Sequence, residues 1–222
     1  MNQLSDAAQD GLPRATIESL DHEGRGVSHV DGKVVFIEGA LPGEVVRFVP
    51  TKKKKQFETA RLAQIEHESA ERVDPLCRYF EICGGCAMQH ADLRLQVAAK
   101  QRVLEDNLAR IGKVQPERIL PAIYAAPWRY RHRARLSVHY VAKKGGVLVG
   151  FRERRSSFVA DMTSCEVLAG GIGQLIAPLR ELMTSLDGRD RMPQVEVAVG
   201  ENVTALVLRH LEPVSEADQQ RL

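Results

Sequence analysis

The residues in this 222-residue sequence best placed to do chemistry are its four cysteines. Three stand in the run Cys77-Arg78-Tyr79-Phe80-Glu81-Ile82-Cys83-Gly84-Gly85-Cys86, a C-x5-C-G-G-C pattern. Two glycines between Cys83 and Cys86 let the backbone curl, so both thiols can reach one centre. Cys77 can close the same centre from the other side of the loop. Cys165 is the one other cysteine and so the one thiol left to act as a fourth ligand. Four thiolates suit an iron–sulfur cluster or an all-thiolate zinc site. The three-plus-one spacing is that of many clusters, whereas zinc more often takes two short cysteine pairs; buried thiols without metal are a third reading. His90 lies near the loop and can act as a ligand, although a lone histidine is more often a packing or surface residue. A nucleophilic cysteine is the rival chemistry, and if all four thiols hold metal none is left for it.

A second constellation is basic. Arg129, Arg131, Arg133 and Arg135 alternate. On a strand this spacing predicts all four on one face, with Tyr130, His132, Ala134 and Leu136 on the other. Such a row repels itself unless carboxylates or phosphates face it. Lys52, Lys53, Lys54 and Lys55 form a compact charge cluster that can follow a nucleic-acid backbone or lie solvated. Arg25, between two glycines, is a further candidate. The formal net charge of +2 hides this pattern. Residues 1–70 hold 9 basic and 11 acidic side chains, residues 71–155 hold 17 and 8, and residues 156–222 hold 5 and 10. A basic middle between acidic flanks points to a polyanionic partner.

The elements that must position these residues are mostly strands. Arg14–Leu20, Gly26–Val30, Lys33–Ile37, Val45–Val49 and Phe57–Ile65 read as five short strands. The Asp31-Gly32 pair is a strong hairpin signal, and Leu41-Pro42-Gly43-Glu44 is a second turn. The pattern predicts a small closed barrel of the OB type over residues 1–68. The cysteine loop follows. A helix is expected from Ala87 to Ile111, with Leu93, Val97, Leu104, Leu108 and Ile111 on one face. Strands are expected over Arg133–Val141 and Val147–Arg152, a helix over Ile172–Leu186, and an antiparallel pair over Val195–Val199 and Val203–Leu208. Ser215 reads as the cap of a last helix. Residues 69–222 are therefore expected to form a second, α+β domain. Hydrophobic residues at 44% and charged residues at 27% fit a globular protein. No apolar run approaches the length of a membrane helix. The N-terminus MNQLSDAAQDGLPR lacks the basic start and apolar core of a secretory signal, so a reducing, cytoplasmic setting is expected.

The order of motifs resembles the N-terminal half of a family. A TRAM-type barrel, C-x5-C-G-G-C, Tyr130-Arg131-His132-Arg133-Ala134-Arg135-Leu136, Gly150-Phe151-Arg152 and Ser164-Cys165-Glu166 together look like the iron–sulfur RNA (uracil-C5) methyltransferases. The likeness is nearest to the bacterial type that acts on 23S rRNA, and it runs from about Pro13 to Arg209. It implies S-adenosylmethionine-dependent methylation of a uracil C5 in 23S rRNA. It also implies a 4Fe-4S cluster on Cys77, Cys83, Cys86 and Cys165 that organises the domain rather than transferring electrons in the reaction. Partners other than rRNA, including a membrane or a second protein, are not implied. A Rossmann-like catalytic domain belongs to the family pattern, and the sequence offers no counterpart. Gly170-Gly171-Ile172-Gly173 is the sole glycine-rich candidate, and it reads better as a helix start than as a cofactor loop. These 222 residues alone are thus expected to bind RNA and to lack methyltransferase activity. A non-enzymatic RNA-binding protein with a four-cysteine metal site is the alternative. A radical-SAM methylthiotransferase fits less well, since its C-x3-C-x2-C motif differs from this spacing.

Overall fold

The computed structural model describes residues 11–222, which are mainly β, with two sheets and few helices. The first sheet holds β1 (Arg14–Thr16), β2 (Ser19–Leu20), β3 (Gly26–Val30), β4 (Lys33–Glu38), β5 (Val45–Lys53) and β6 (Phe57–His67). Its order is β1-β5-β6-β4-β3-β2, with β4 and β6 parallel and the other pairs antiparallel. β1 and β2 lie at the two ends of that order yet are separated in sequence only by Ile17 and Glu18. The Ile17 N–H donates to the Glu44 carbonyl at 2.9 Å and the Glu18 N–H to the Val27 carbonyl at 2.9 Å. One bent N-terminal strand is thus shared between both ends, which closes the sheet and leaves no long free edge.

The turns follow the residues chosen for them. Asp31 (φ 50°) and Gly32 (φ 76°) both take the left-handed conformation that a two-residue hairpin of the primed type needs. Inside the barrel Ile17, Val35, Ile37, Val46, Phe48 and Ala60 are buried, and the period-2 alternation places their neighbours outside.

Glu44, read as a turn residue, is fully buried. It accepts from the Leu41 N–H at 2.8 Å and from Arg72 at 2.6 and 2.9 Å, while Arg72 also donates to the Gly39 carbonyl at 2.6 Å. This buried pair fastens the chain leaving the barrel to its Leu41 turn.

Helix α1 runs over Leu93–Arg110, not from Ala87, because Asp92 caps it by accepting the Arg94 N–H at 2.9 Å. Its packed face also departs from the expected one. Leu95 and Ala99, with Met88, meet Leu20, Leu41 and Ala91, whereas Leu104 and Ile111 are exposed.

The second sheet has order β10-β9-β7-β8, all antiparallel: β7 (Arg133–Val141), β8 (Gly146–Gly150), β9 (Gln194–Val199) and β10 (Thr204–Arg209). Helix α2 (Ile176–Ser185) buries Ile176, Leu179 and Met183 in the core with Leu136, Val149, Val195 and Val197. Helix α3 (Glu216–Arg221) starts at Ser215, whose hydroxyl accepts the Asp218 N–H at 3.1 Å.

The chain divides into two compact units. One comprises the residues up to Asp74 together with Ala87–Tyr124; the other comprises Pro75–Cys86 and Ala125–Leu222. The cysteine loop therefore groups with the second sheet and α1 with the barrel. No helix among the described residues is long and apolar enough to cross a membrane.

Candidate metal centre and nucleic-acid interface

The cysteine loop is built from tight turns. The Phe80 N–H donates to the Cys77 carbonyl at 3.0 Å and the Cys83 N–H to the Tyr79 carbonyl at 2.7 Å. Beyond Ile82 the chain pairs with the segment after β8. The Gly84 N–H donates to the Arg152 carbonyl and the Arg154 N–H to the Ile82 carbonyl, both at 2.9 Å, around a bridge between Cys83 and Glu153. This pairing explains both glycines. A Cβ on Gly84 would sit 3.0 Å from the Arg152 carbonyl oxygen; one on Gly85 would sit 3.2 Å from the Phe151 ring and 3.4 Å from Cys83 Sγ.

Cys165 arrives from another part of the chain and is fixed just as closely. Its N–H donates to the Gly173 carbonyl at 3.1 Å, and a Cβ on Gly173 would fall 2.0 Å from the Cys165 carbonyl oxygen. That contact accounts for the glycine in Gly170-Gly171-Ile172-Gly173, which opens a 3-10 turn over Ile172–Gln174 ahead of α2. Tyr79 ties the two cysteine segments together. Its hydroxyl lies 2.9 Å from Thr163 Oγ1 and accepts the Thr163 N–H at 3.1 Å and Arg78 Nη2 at 2.5 Å. Nothing in the spacing of Tyr79 and Thr163 signals this link, which depends on the return of residues 84 positions apart.

The four thiols are free of disulfides; Cys83 and Cys165 are buried and Cys77 and Cys86 half-buried. Burial pushes the Cys77, Cys83 and Cys165 thiols above their ordinary range. Backbone N–H groups pull the other way: that of Tyr79 at Cys77, that of Gly85 at Cys83, and those of Val167 and Leu168 at Cys165. The thiols also raise one another, Cys83 responding to Cys86, Cys165 and Cys77. Four sulfurs from two distant segments thus share one electrostatic environment. Among the described residues no three His, Cys, Asp or Glu side chains are grouped closely enough to hold a metal ion as they stand. His90 is buried in the first unit, where its carbonyl accepts the Val73 N–H at 3.0 Å.

The arginine row is not one strand face. β7 begins at Arg133, and Arg129 sits before it with φ 55°, its N–H donating to the Glu166 carbonyl at 3.0 Å. The left-handed residue breaks the alternation. Arg131 donates its N–H to the Val167 carbonyl at 2.8 Å, and its guanidinium goes to the cysteine loop, 3.3 Å from the Gly85 carbonyl oxygen and over the Phe151 ring. Arg133 and Arg135 do share the outer face of β7, both exposed. Arg135 lies across from Glu196 on β9. That carboxyl is held below its ordinary range first by the Arg209 guanidinium, with Arg135 adding its charge. In the first unit Lys52 and Lys53 end β5, Lys54 and Lys55 occupy the turn, and all four are exposed, with Lys54 over the Phe57 ring. Arg25 is engaged by Asp21 at 2.6 Å and Glu23 at 2.9 Å.

Residues 14–62 match the model of the TRAM domain family. Over 206 residues, 93% of the chain, the sequence is 62% identical to the 23S rRNA (uracil(1939)-C(5))-methyltransferase RlmD of Nitrosospira multiformis. It is 56% identical to the protein of that name from Cupriavidus pinatubonensis, over 95% of the chain. The chain spans about half the length of these curated relatives, 47% in both cases. The fold is also that of part of the Pyrococcus abyssi tRNA (uracil-54, C5)-methyltransferase, solved with S-adenosyl-L-homocysteine. The TM-score is 0.65 at 20% identity, covering 94% of this chain and 48% of that one.

The donor set fits a thiolate-ligated site in its chemistry. The sulfurs are all soft donors, they influence one another's charge, and each of three has a backbone N–H opposing its burial.

Proposed function

We propose that this chain supplies the RNA-binding and iron–sulfur portion of an S-adenosylmethionine-dependent enzyme that methylates C5 of a uracil in 23S rRNA. The observation that carries the reading is the return of Cys165 to the electrostatic environment of Cys77, Cys83 and Cys86 in a chain with these relatives. Those four residues would hold a 4Fe-4S cluster, and bound there it would cross-link two distant segments of the second unit. The barrel, residues 1–68 in the sequence reading, is the RNA-binding TRAM portion, followed by the iron–sulfur portion to residue 222. Lys52, Lys53, Lys54, Lys55, Arg129, Arg133 and Arg135 offer exposed cations to rRNA phosphates. Arg25 and Arg131 are further candidates, each engaged with partners of its own. The methyl group would come from S-adenosylmethionine, as the relatives' name and the S-adenosyl-L-homocysteine bound to the structural neighbour suggest. The cytoplasm, where rRNA is modified and thiols stay reduced, is the compartment this requires.

Titration of the anaerobically purified chain with a 23S rRNA fragment tests the RNA part. Binding is expected to weaken steeply with salt, each neutralised phosphate contributing about 0.7–0.9 to the log–log slope. Absence of binding at low salt would refute it.

A further inference from the structure

We infer that Arg154, with Arg131, is a clamp that holds the Cys83-Gly84-Gly85-Cys86 turn in its metal-binding shape. The inference rests on the four-thiolate reading above. The Arg154 guanidinium donates to the Cys86 carbonyl at 2.5 Å and to the Cys83 carbonyl at 3.4 Å, and it lies over the Phe80 ring, 4.7 Å from its centroid. Arg131 takes the carbonyl between them, that of Gly85, at 3.3 Å and lies 5.4 Å from the Phe151 centroid. Three of the four carbonyls in this turn are therefore fixed by two guanidinium groups, each seated on an aromatic ring.

A turn containing two adjacent glycines has many conformations to lose, and its peptide planes rotate at little cost unless something fixes them. Binding the carbonyls to the arginines fixes those planes. The Gly85 N–H is then left to Cys83 Sγ, 3.4 Å away. Partners one step beyond the ligands orient them, and losing such a partner commonly lowers metal affinity about 10–100-fold. The guanidinium is suited to this because its planar fork can serve two carbonyls while stacking on a ring; an ammonium is a point charge that does not span them. The two positive charges also stand beside a site that four thiolates would make anionic.

The test uses anaerobically purified protein and its Arg154→Ala and Arg154→Lys variants. Release of iron to a chelator is followed by the loss of cluster absorbance, and the reduction midpoint potential is measured on the same samples. Both variants are expected to release iron at least about tenfold faster than the parent, at unchanged far-UV circular dichroism. Arg154→Ala is expected to lower the potential, because reduction adds negative charge beside a lost cation; Arg154→Lys retains that charge and the parent potential. Should Arg154→Ala fail to fold, Arg131→Lys, which leaves Arg154 in place, is expected to speed release as well. Parent-like release from the variants would overturn the clamp while leaving the cluster intact. A parent protein without iron would overturn the four-thiolate reading, and the clamp with it.

Discussion

At the scale of single residues, two kinds of arginine occupy the run from Arg129 to Arg135, and they should behave differently. Arg133 and Arg135 are exposed on β7, so Arg133→Ala or Arg135→Ala is expected to weaken binding to a 23S rRNA fragment. The salt slope should flatten by about one contact for each. Arg131→Ala should leave that slope nearly unchanged and loosen the metal instead, because its guanidinium is spent on the Gly85 carbonyl. Equal slopes for all three variants would contradict the division.

The thiols make a separate prediction. Burial raises Cys77, Cys83 and Cys165, so the metal-free fold holds their protons more tightly than the unfolded chain does. Between the unfolded and folded thiol ranges the folded state carries more protons, and stability falls as pH rises. Metal-free protein should therefore have its full thiol contribution below the ordinary thiol range, about 8.5, and lose melting temperature above it. Metal loading should run the other way and improve with pH, since each ligand gives up a proton to bind. A melting temperature that climbs through that range would contradict the assignment.

At the scale of elements, the buried Glu44–Arg72 pair is the joint between the barrel and the chain that follows it. Arg72→Ala leaves a carboxylate buried with two backbone donors, from Leu41 and Ser69, in place of four hydrogen bonds and is expected to cost about 3–5 kcal/mol in urea unfolding. A cost under about 1 kcal/mol would show that water reaches Glu44. The strands and turns here were legible because their signals are local: Asp31-Gly32, the alternation around Val35 and Ile37, and the Ser215 cap each act within a few residues. The partner of Glu44 was not, because Arg72 lies 28 positions away and a glutamate after Pro-Gly reads as a turn residue. The same limit hid the packed face of α1. Periodicity marks Leu104 and Ile111 as apolar, but which stripe is covered depends on where Leu20 and Leu41 stand. It also misled on the arginines, since alternation in sequence becomes a face only while the backbone stays extended, and Arg129 does not. The four cysteines were visible as candidates in the sequence; Arg154, Phe80, Tyr79 and Thr163, which surround them, carried no pattern.

At the scale of the molecule, the chain covers about half of each curated relative and holds only four cysteines. On the proposed function, methylation at uracil C5 needs a thiolate to add at C6, and a thiolate bound to metal would not be available for it. The purified 222-residue chain is therefore expected to transfer no labelled methyl group from S-adenosylmethionine to rRNA; incorporation would mean that one of the four cysteines doubles as nucleophile.

The central claim is that Cys77, Cys83, Cys86 and Cys165 together hold one cluster, and iron and sulfide analysis of anaerobically purified protein beside Cys165→Ala tests it most directly. The account predicts brown protein absorbing near ~400 nm with about four iron and four sulfide per chain, and loss of most of both in the variant. Colourless protein with a single zinc, or a variant with undiminished iron, would contradict it.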